Sequence, residues 1–403
     1  MKFHHKIWLI VLVSLCAMNA LKWGKHFVEA PYHPLDFRTY YTASKAYWQN
    51  QDPYSDSIKI TTWQSLAKSE HIDWQGDLSF PHAVCVYAPS FVWYFGLYNT
   101  LPFSVAKWVQ LSLNLLSIVV ILLILIRLNP KIPAVWLVFG LLAYRGIWQA
   151  LDNGQPIIQT LALALLAYRL SLSSKTYWQW LAGGIMGFIA YKFTFAVPLA
   201  MALLFQNKFK TFFGFLISAA AFNLMAIAYA ESSWLLVTHW RANLNQLMAV
   251  IFEPGPINAI QSISLGIVIP MVKWLNAPSY LIHFLTILGM GMAYGILHQN
   301  RKNIDFSITI GLAFLIGFSL GIHFTYDVII AICFLMINTE AVSKWPAIWH
   351  WVFAIVFLPF GFFAHFFQSN DWLLVPNISL FVLCIGLFLY YFWNKKSAIK
   401  NAN

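Results

Sequence analysis

The sequence predicts an all-α polytopic membrane protein, and two observations carry that expectation. Of 403 residues, 60% are hydrophobic and only 10% charged, whereas soluble globular chains carry about 25% charged residues. The few charges fall in short turns between long apolar runs. Such a chain cannot cover its own surface against water, so the surface must face lipid. The formal net charge of +11 would raise nucleic acid as a partner in a soluble protein. Here the bases sit where membrane topology wants them, so the expected partner is the bilayer and no nucleic acid.

The first element, MKFHHKIWLIVLVSLCAMNA, reads as a crossing with Lys2 and Lys6 inside. Basic residues, an apolar run and small residues near Ala17 and Ala20 also fit a signal peptide, and that alternative stays open. Residues 22–103 form the only long polar stretch and are expected as a large outer loop. Within it APSFVWYFGLYNTLP is short for a span and is read as a helix along the membrane surface. Further apolar runs lie near 104–126, 133–148, 156–170, 177–191, 194–206, 211–230, 279–298, 306–322, 325–338, 347–364 and 373–393. A span needs about 20 apolar residues, which gives about twelve crossings in one integral domain over 1–403. A second outer loop is expected at 231–278.

Orientation follows from the basic turns. With the N-terminus cytoplasmic, Arg127, Lys131, Arg169, Lys175, Lys208, Lys210, Arg301, Lys302, Lys344 and the tail Lys395, Lys396 and Lys400 all lie inside. Both termini are then cytoplasmic. Asp305 and Glu340 are the only acids on that side, and the other twelve gather at the outer face. The active site is therefore expected outside, on a plasma (inner) membrane. Cys16, Cys85, Cys333 and Cys384 make no CxxC pair, so no disulfide framework is indicated.

Ionisable groups inside a membrane are costly, which makes each a functional candidate. Lys192 interrupts an apolar stretch in AYKFTFAVP and reads as a clamp for a lipid phosphate, or as a snorkelling lysine at a helix end. Arg145 and Arg241 could add bidentate phosphate contacts, or serve as an interfacial anchor and an exposed loop residue respectively. Asp36 follows the first helix, and Asp52 precedes Pro53 in a turn signal. His323 and Asp327 stand four apart and would share a face if helical. They could carry a proton, bind phosphate, or form a satisfied polar pair. No set of oxygen ligands has calcium or magnesium spacing, so no metal and no cofactor are expected. No Walker A or GxGxxG appears, which argues against a sugar-nucleotide donor and an ATP-driven pump.

In chain order, the motifs are D-F-x-x-Y-Y-x-A-x-x-x-x-W from Asp36 through Tyr40, then D-P-Y ending at Tyr54. Y-A-P-S-F at Tyr87, L-P at Leu101, G-Q at Gly154 and Gln155, the lysine break, N-x-x-Q-S around Gln261 and H-x-x-x-D at His323 follow. This order resembles glycosyltransferase family 87 of the GT-C superfold, which includes polyprenol-phosphate-mannose-dependent α-mannosyltransferases. The resemblance implies a GT-C fold with Asp36 as the catalytic carboxylate in the first outer loop. It implies that Lys192, with Arg145 or His323, meets the donor phosphate. It points to Tyr40, Tyr54, Tyr87, Gln155, Gln261 and Asp327 as substrate contacts. The implied partners are a polyprenyl-phosphate-linked sugar donor and a glycan or glycolipid acceptor. Tyr87-Ala88-Pro89 and Phe193 after the lysine depart from the usual family pattern.

The expected reaction is transfer of a mannose-type hexose outside the membrane, inverting and metal-independent. Two other classes remain: a flippase or transporter of lipid-linked intermediates, and a membrane glycan ligase or acyltransferase with His323 as base. The first should show internal repeats and paired broken helices; the sequence shows one clear break and no fixed-period repeat.

Overall fold

A backbone in lipid must satisfy its own hydrogen bonds, and this chain does so with helices. The computed structural model describes residues 3–29, 32, 34–72, 85, 87–230, 233–253, 264–275, 278–320, 323–338, 348 and 375–400. In order these hold α1 (Phe3–Glu29), α2 (Leu35–Trp48), α3 (Asp56–Ser69), α4 (Pro89–Phe95), α5 (Phe103–Leu128) and α6 (Ala134–Ala143). Next come α7 (Arg145–Asp152), α8 (Ile157–Ser171), α9 (Thr176–Phe188), α10 (Phe193–Phe205), α11 (Phe209–Tyr229) and α12 (Ser233–Ile251). The order closes with β1 (Ser264–Leu265), α13 (Val268–Leu275), α14 (Ser279–Gln299), α15 (Phe306–Leu320), β2 (His323–Phe324), α16 (Ile329–Ile337) and α17 (Val375–Lys400). β1 and β2 form a two-residue antiparallel bridge that pairs Ser264 with Phe324 and Leu265 with His323.

This is a helical membrane protein. Among the described residues, three helices are long and apolar enough to cross a bilayer: α5, α11 and Tyr280–Gln299 of α14. α6 and α7 together pass the same test and are bent by 59°, with Tyr144 extended between them. α8, α10 and α15 are shorter apolar helices. The run at 347–364, apart from Ile348, and the motif Asn258–Ser262, with Gln261, lie outside the described residues.

Packing follows residue size. Gly183 and Gly187 stand one helical turn apart on α9, and a Cβ at either would lie 2.3 or 2.5 Å from a backbone oxygen of α11. Small residues four apart let two backbones approach closely where no hydrophobic effect drives them together. The main core is largely aliphatic and runs from α5 to α17. A second core is aromatic and lies mostly between α1 and α5, built from Phe37, Tyr40, Tyr41, Trp63, Tyr87, Phe91, Phe95, Tyr98 and Phe103. The run before Pro102 contributes α4 and a 3₁₀ turn at Gly96–Thr100 to this core, with Phe91 and Phe95 buried and Leu97 exposed.

Several acids before α5 have structural duties. Both Glu70 carboxylate oxygens accept backbone N–H groups at the start of α5, from Phe103 at 2.8 Å and Ser104 at 3.0 Å. Negative charge there offsets the helix dipole and satisfies donors with no helical partner. Asp52 accepts the Tyr54 N–H at 3.0 Å, closing the turn expected at Asp-Pro, and pairs with His239 of α12 at 2.8 Å. Asp56 pairs with the buried Lys59 at 2.8 Å.

Candidate active site

The sharp turn Asn153–Gly154–Gln155 connects α7 to α8 and fixes the site. Gly154 has φ +67°, and a Cβ there would lie 2.6 Å from Phe37 Cβ and 2.8 Å from Pro34 Cβ. Only glycine adopts that backbone cheaply and lets the turn press against α2. The contact is sealed by Phe37 N–H donating to Asn153 O at 3.0 Å. Gln110 and Asn114 of α5 donate to the carbonyls of Gly154 and Gln155, each at 3.0 Å. Gly154→Ala is expected to cost roughly 2–4 kcal/mol, from the left-handed backbone and the clash with α2. Thermal unfolding of the purified protein in detergent checks this.

So held, the Gln155 side chain reaches four others. Its Nε2 donates to Asp36 Oδ2, to Tyr40 Oη at 2.7 Å and to Tyr326 Oη at 2.9 Å. An amide nitrogen carries two hydrogens, so the carboxylate and two phenols share them. Its Oε1 accepts from Tyr87 Oη at 3.0 Å, and Tyr40 Oη donates to Tyr87 Oη at 3.2 Å. Gln155, Tyr40, Tyr87 and Tyr326 are all buried. Asp36, in the first turn of α2, keeps part of its surface accessible. Burial pushes its carboxyl up to about 6, against the opposing pull of Gln155, Lys192 and Asn153. Burial likewise raises the Tyr40 phenol well above its ordinary value, so Tyr40 stays a neutral donor.

Lys192 is placed by the break the sequence marks. A short 3₁₀ turn, Ile189–Tyr191, ends α9, and Lys192 is extended before α10 begins. Its buried ammonium donates to Asp327 Oδ2 at 2.6 Å, and Asp327 is fully buried. The rings of Phe195, Tyr326 and Tyr87 surround it at 5.1, 5.4 and 5.6 Å, distances at which a cation is drawn to a ring face. Lys192 also lies within electrostatic reach of Asp36.

The other expected residues distribute as follows. Tyr54 is buried and supports the site through backbone, its Oη donating to Tyr87 O at 3.0 Å. Arg145 lines a crevice of about 540 Å³ together with Lys22, Lys25, Asp152 and Asn153. Arg241 is exposed on α12, whose Asn243 holds Tyr54 O at 3.2 Å. His323 belongs to β2 while Asp327 sits in a 3₁₀ turn, Thr325–Val328. The strand bridge to β1 keeps the segment extended, so the two do not share one face of a helix. Gln261 is outside the described residues.

Two residues in the cluster escape sequence reading. Tyr326 lies between His323 and Asp327 in HFTYD, where an aromatic inside a polar motif is the signal. Asn153, also bonded to Asp36, precedes the Gly-Gln pair. One residue beyond Lys192 begins an apolar cavity of about 220 Å³, lined by Phe193, Val197, Pro198, Met248, Phe252 and Met290 among others.

The turn and the buried tyrosines thus meet Asp36 through Gln155, with the Lys192–Asp327 pair close by, and a family match spans the same ground. Glycosyltransferase family 87 matches residues 86–318, more than half of the chain. The chain belongs to glycosyltransferase family 87. Neither a curated protein nor a solved structure matches it. The family 87 match takes in Tyr87, Arg145, Gln155, Lys192 and Arg241 but begins after Asp36 and ends before His323. In this family 87 chain, Asp36 is tied to the matched region through Gln155 and Asn153.

Proposed function

We propose that this family 87 glycosyltransferase moves a mannose-type hexose from a polyprenyl-phosphate donor to a glycan or glycolipid acceptor at the outer face of a plasma membrane. The observation that carries the reading is a partly accessible carboxylate, Asp36, held by Gln155 within electrostatic reach of a buried lysine. A carboxyl lifted to about 6 is ionised at neutral pH and still basic enough to take a proton, which suits a general base. The acceptor hydroxyl gives its proton to Asp36 as its oxygen bonds to the anomeric carbon. The bond from that carbon to the phosphate oxygen breaks, and its electron pair leaves with the phosphate. Attack opposite the leaving group inverts the anomeric centre.

The cations act on the leaving group. Lys192 and Arg145 face the growing phosphate charge, with Arg241 as a more distant contributor, in the manner of preorganised electrostatic stabilisation. Tyr40, Tyr54, Tyr87 and Gln155 shape the sugar site, Asp327 orients Lys192, and Gln261 and His323 contribute from the second outer loop and the last outer turn. The apolar cavity beside Lys192 suits a lipid tail. The whole is read as one GT-C domain over 1–403 with about twelve crossings, termini inside, and the outer loops at 22–103 and 231–278 over the site. The phosphate already activates the sugar, so the chemistry asks for no metal.

The test uses purified protein in vesicles loaded with polyprenyl-phosphate-[14C]mannose and an acceptor extract. Label moving into a glycan or glycolipid with inverted anomeric configuration is the expected result. Intact donor crossing the bilayer without cleavage would replace the reading with a flippase.

A further inference from the structure

We infer that the crevice at the outer end of α1 is a seat for a phosphate monoester dianion, which makes it the place where the spent lipid carrier lodges after transfer. The inference rests on the lipid-phosphate donor proposed above. The crevice, about 540 Å³, is lined by Lys22, Lys25 and Arg145 against one carboxylate, Asp152. Among the described residues, three cations less one anion leave a net of +2. Lys22 lies within electrostatic reach of both Arg145 and Asp152. Asn19, Gln149 and Asn153 add neutral polar groups, and Trp23 and Trp148, 5.9 Å apart, form an aromatic wall.

Two features give these lysines a purpose beyond folding. Bases at the outer end of a first helix run against the inside bias that places the other turn cations of this chain. Asn153 also lines the crevice and hydrogen-bonds Asp36, so the cationic lining adjoins the residue expected to do the chemistry. The transfer step changes the charge it must hold. In the donor the phosphate is a diester with one negative charge; once the anomeric C–O bond breaks, the electron pair stays on phosphate and the product is a monoester approaching two. A lining of net +2 favours the product over the donor, and the enzyme is therefore held back by its own spent carrier.

Binding is measured directly, without turnover, on detergent-purified protein. Polyprenyl monophosphate should bind about tenfold more tightly than a polyprenyl methyl phosphodiester, because one more charge-assisted contact is available. Lys22→Ala/Lys25→Ala should remove that difference, and Lys22→Arg/Lys25→Arg should keep it. Both lysines are exposed at the helix surface, and the unfolding midpoint of each variant confirms that folding is intact. Equal affinity for monoester and diester in the unaltered protein, or an undiminished preference in the alanine pair, overturns the inference. Inorganic phosphate competing as well as polyprenyl monophosphate would overturn the lipid source and leave a free-phosphate site. Absence of transfer with the preference intact would count against the proposed reaction and not against this seat.

Discussion

Asp36→Asn is expected to lower hexose transfer by about 10²–10⁴-fold, the usual worth of a positioned general base, while making the protein more stable. The two effects share one cause. Burial lifts the Asp36 carboxyl to about 6, well above the ordinary carboxylate value. An unfolded chain ionises this group near 3.8, so between 3.8 and about 6 the folded state holds a proton the unfolded state has lost. Stability therefore falls as pH rises through that window, and above it the full penalty of roughly 3 kcal/mol applies. Asn carries no charge and escapes the penalty. Unfolding midpoints at pH 7.5 should rise in the variant, and the gap should close near pH 4. In the unaltered enzyme, transfer should climb with pH through about 6 and then level off, because only the carboxylate accepts a proton. A midpoint that falls on substitution, or transfer flat from pH 5 to 8, would remove Asp36 from this role.

Lys192→Met carries the second large effect. Asp327 is fully buried and receives the ammonium at 2.6 Å. Taking away one partner of a buried ion pair leaves a charge in a medium that cannot solvate it, at a cost of about 3–5 kcal/mol. Lys192→Met/Asp327→Asn should recover much of that loss, since neither charge then remains. The ordering of unfolding midpoints, single below double, is the signature of a true pair. Transfer is expected to stay low in both variants, because the cation proposed to face the leaving phosphate is gone from each. Equal midpoints in the two variants would show that the pair adds nothing to the fold.

Part of this was legible in the sequence. Scarce charge and long apolar runs predict membrane helices, and α5, α11 and α14 are long and apolar enough to be such helices. The break at Lys192 is visible because a lone cation interrupts an apolar stretch, and the helix does end there. What periodicity cannot carry is partnership at a distance. Lys192 and Asp327 are 135 positions apart, and no local pattern links a cation in one break to an acid in another. Gln155 reads as half of a Gly-Gln pair, while its position at the centre of the cluster depends on α2, α5 and the Thr325–Val328 turn meeting around it. The His323–Asp327 spacing suggests one helical face, and a two-residue strand bridge formed with a distant loop decides otherwise.

The reach of the Gln155 contacts bears on how the protein is made. Gln155 touches Asp36 and Tyr40, synthesised over a hundred positions earlier, and Tyr326, synthesised 171 positions later. While the ribosome is between residues 192 and 327, a chain already threaded into the membrane carries Lys192 without its counter-ion. For the time it takes to add 135 residues, that ion pair cannot form. A chain that stops short of Asp327 never acquires that partner.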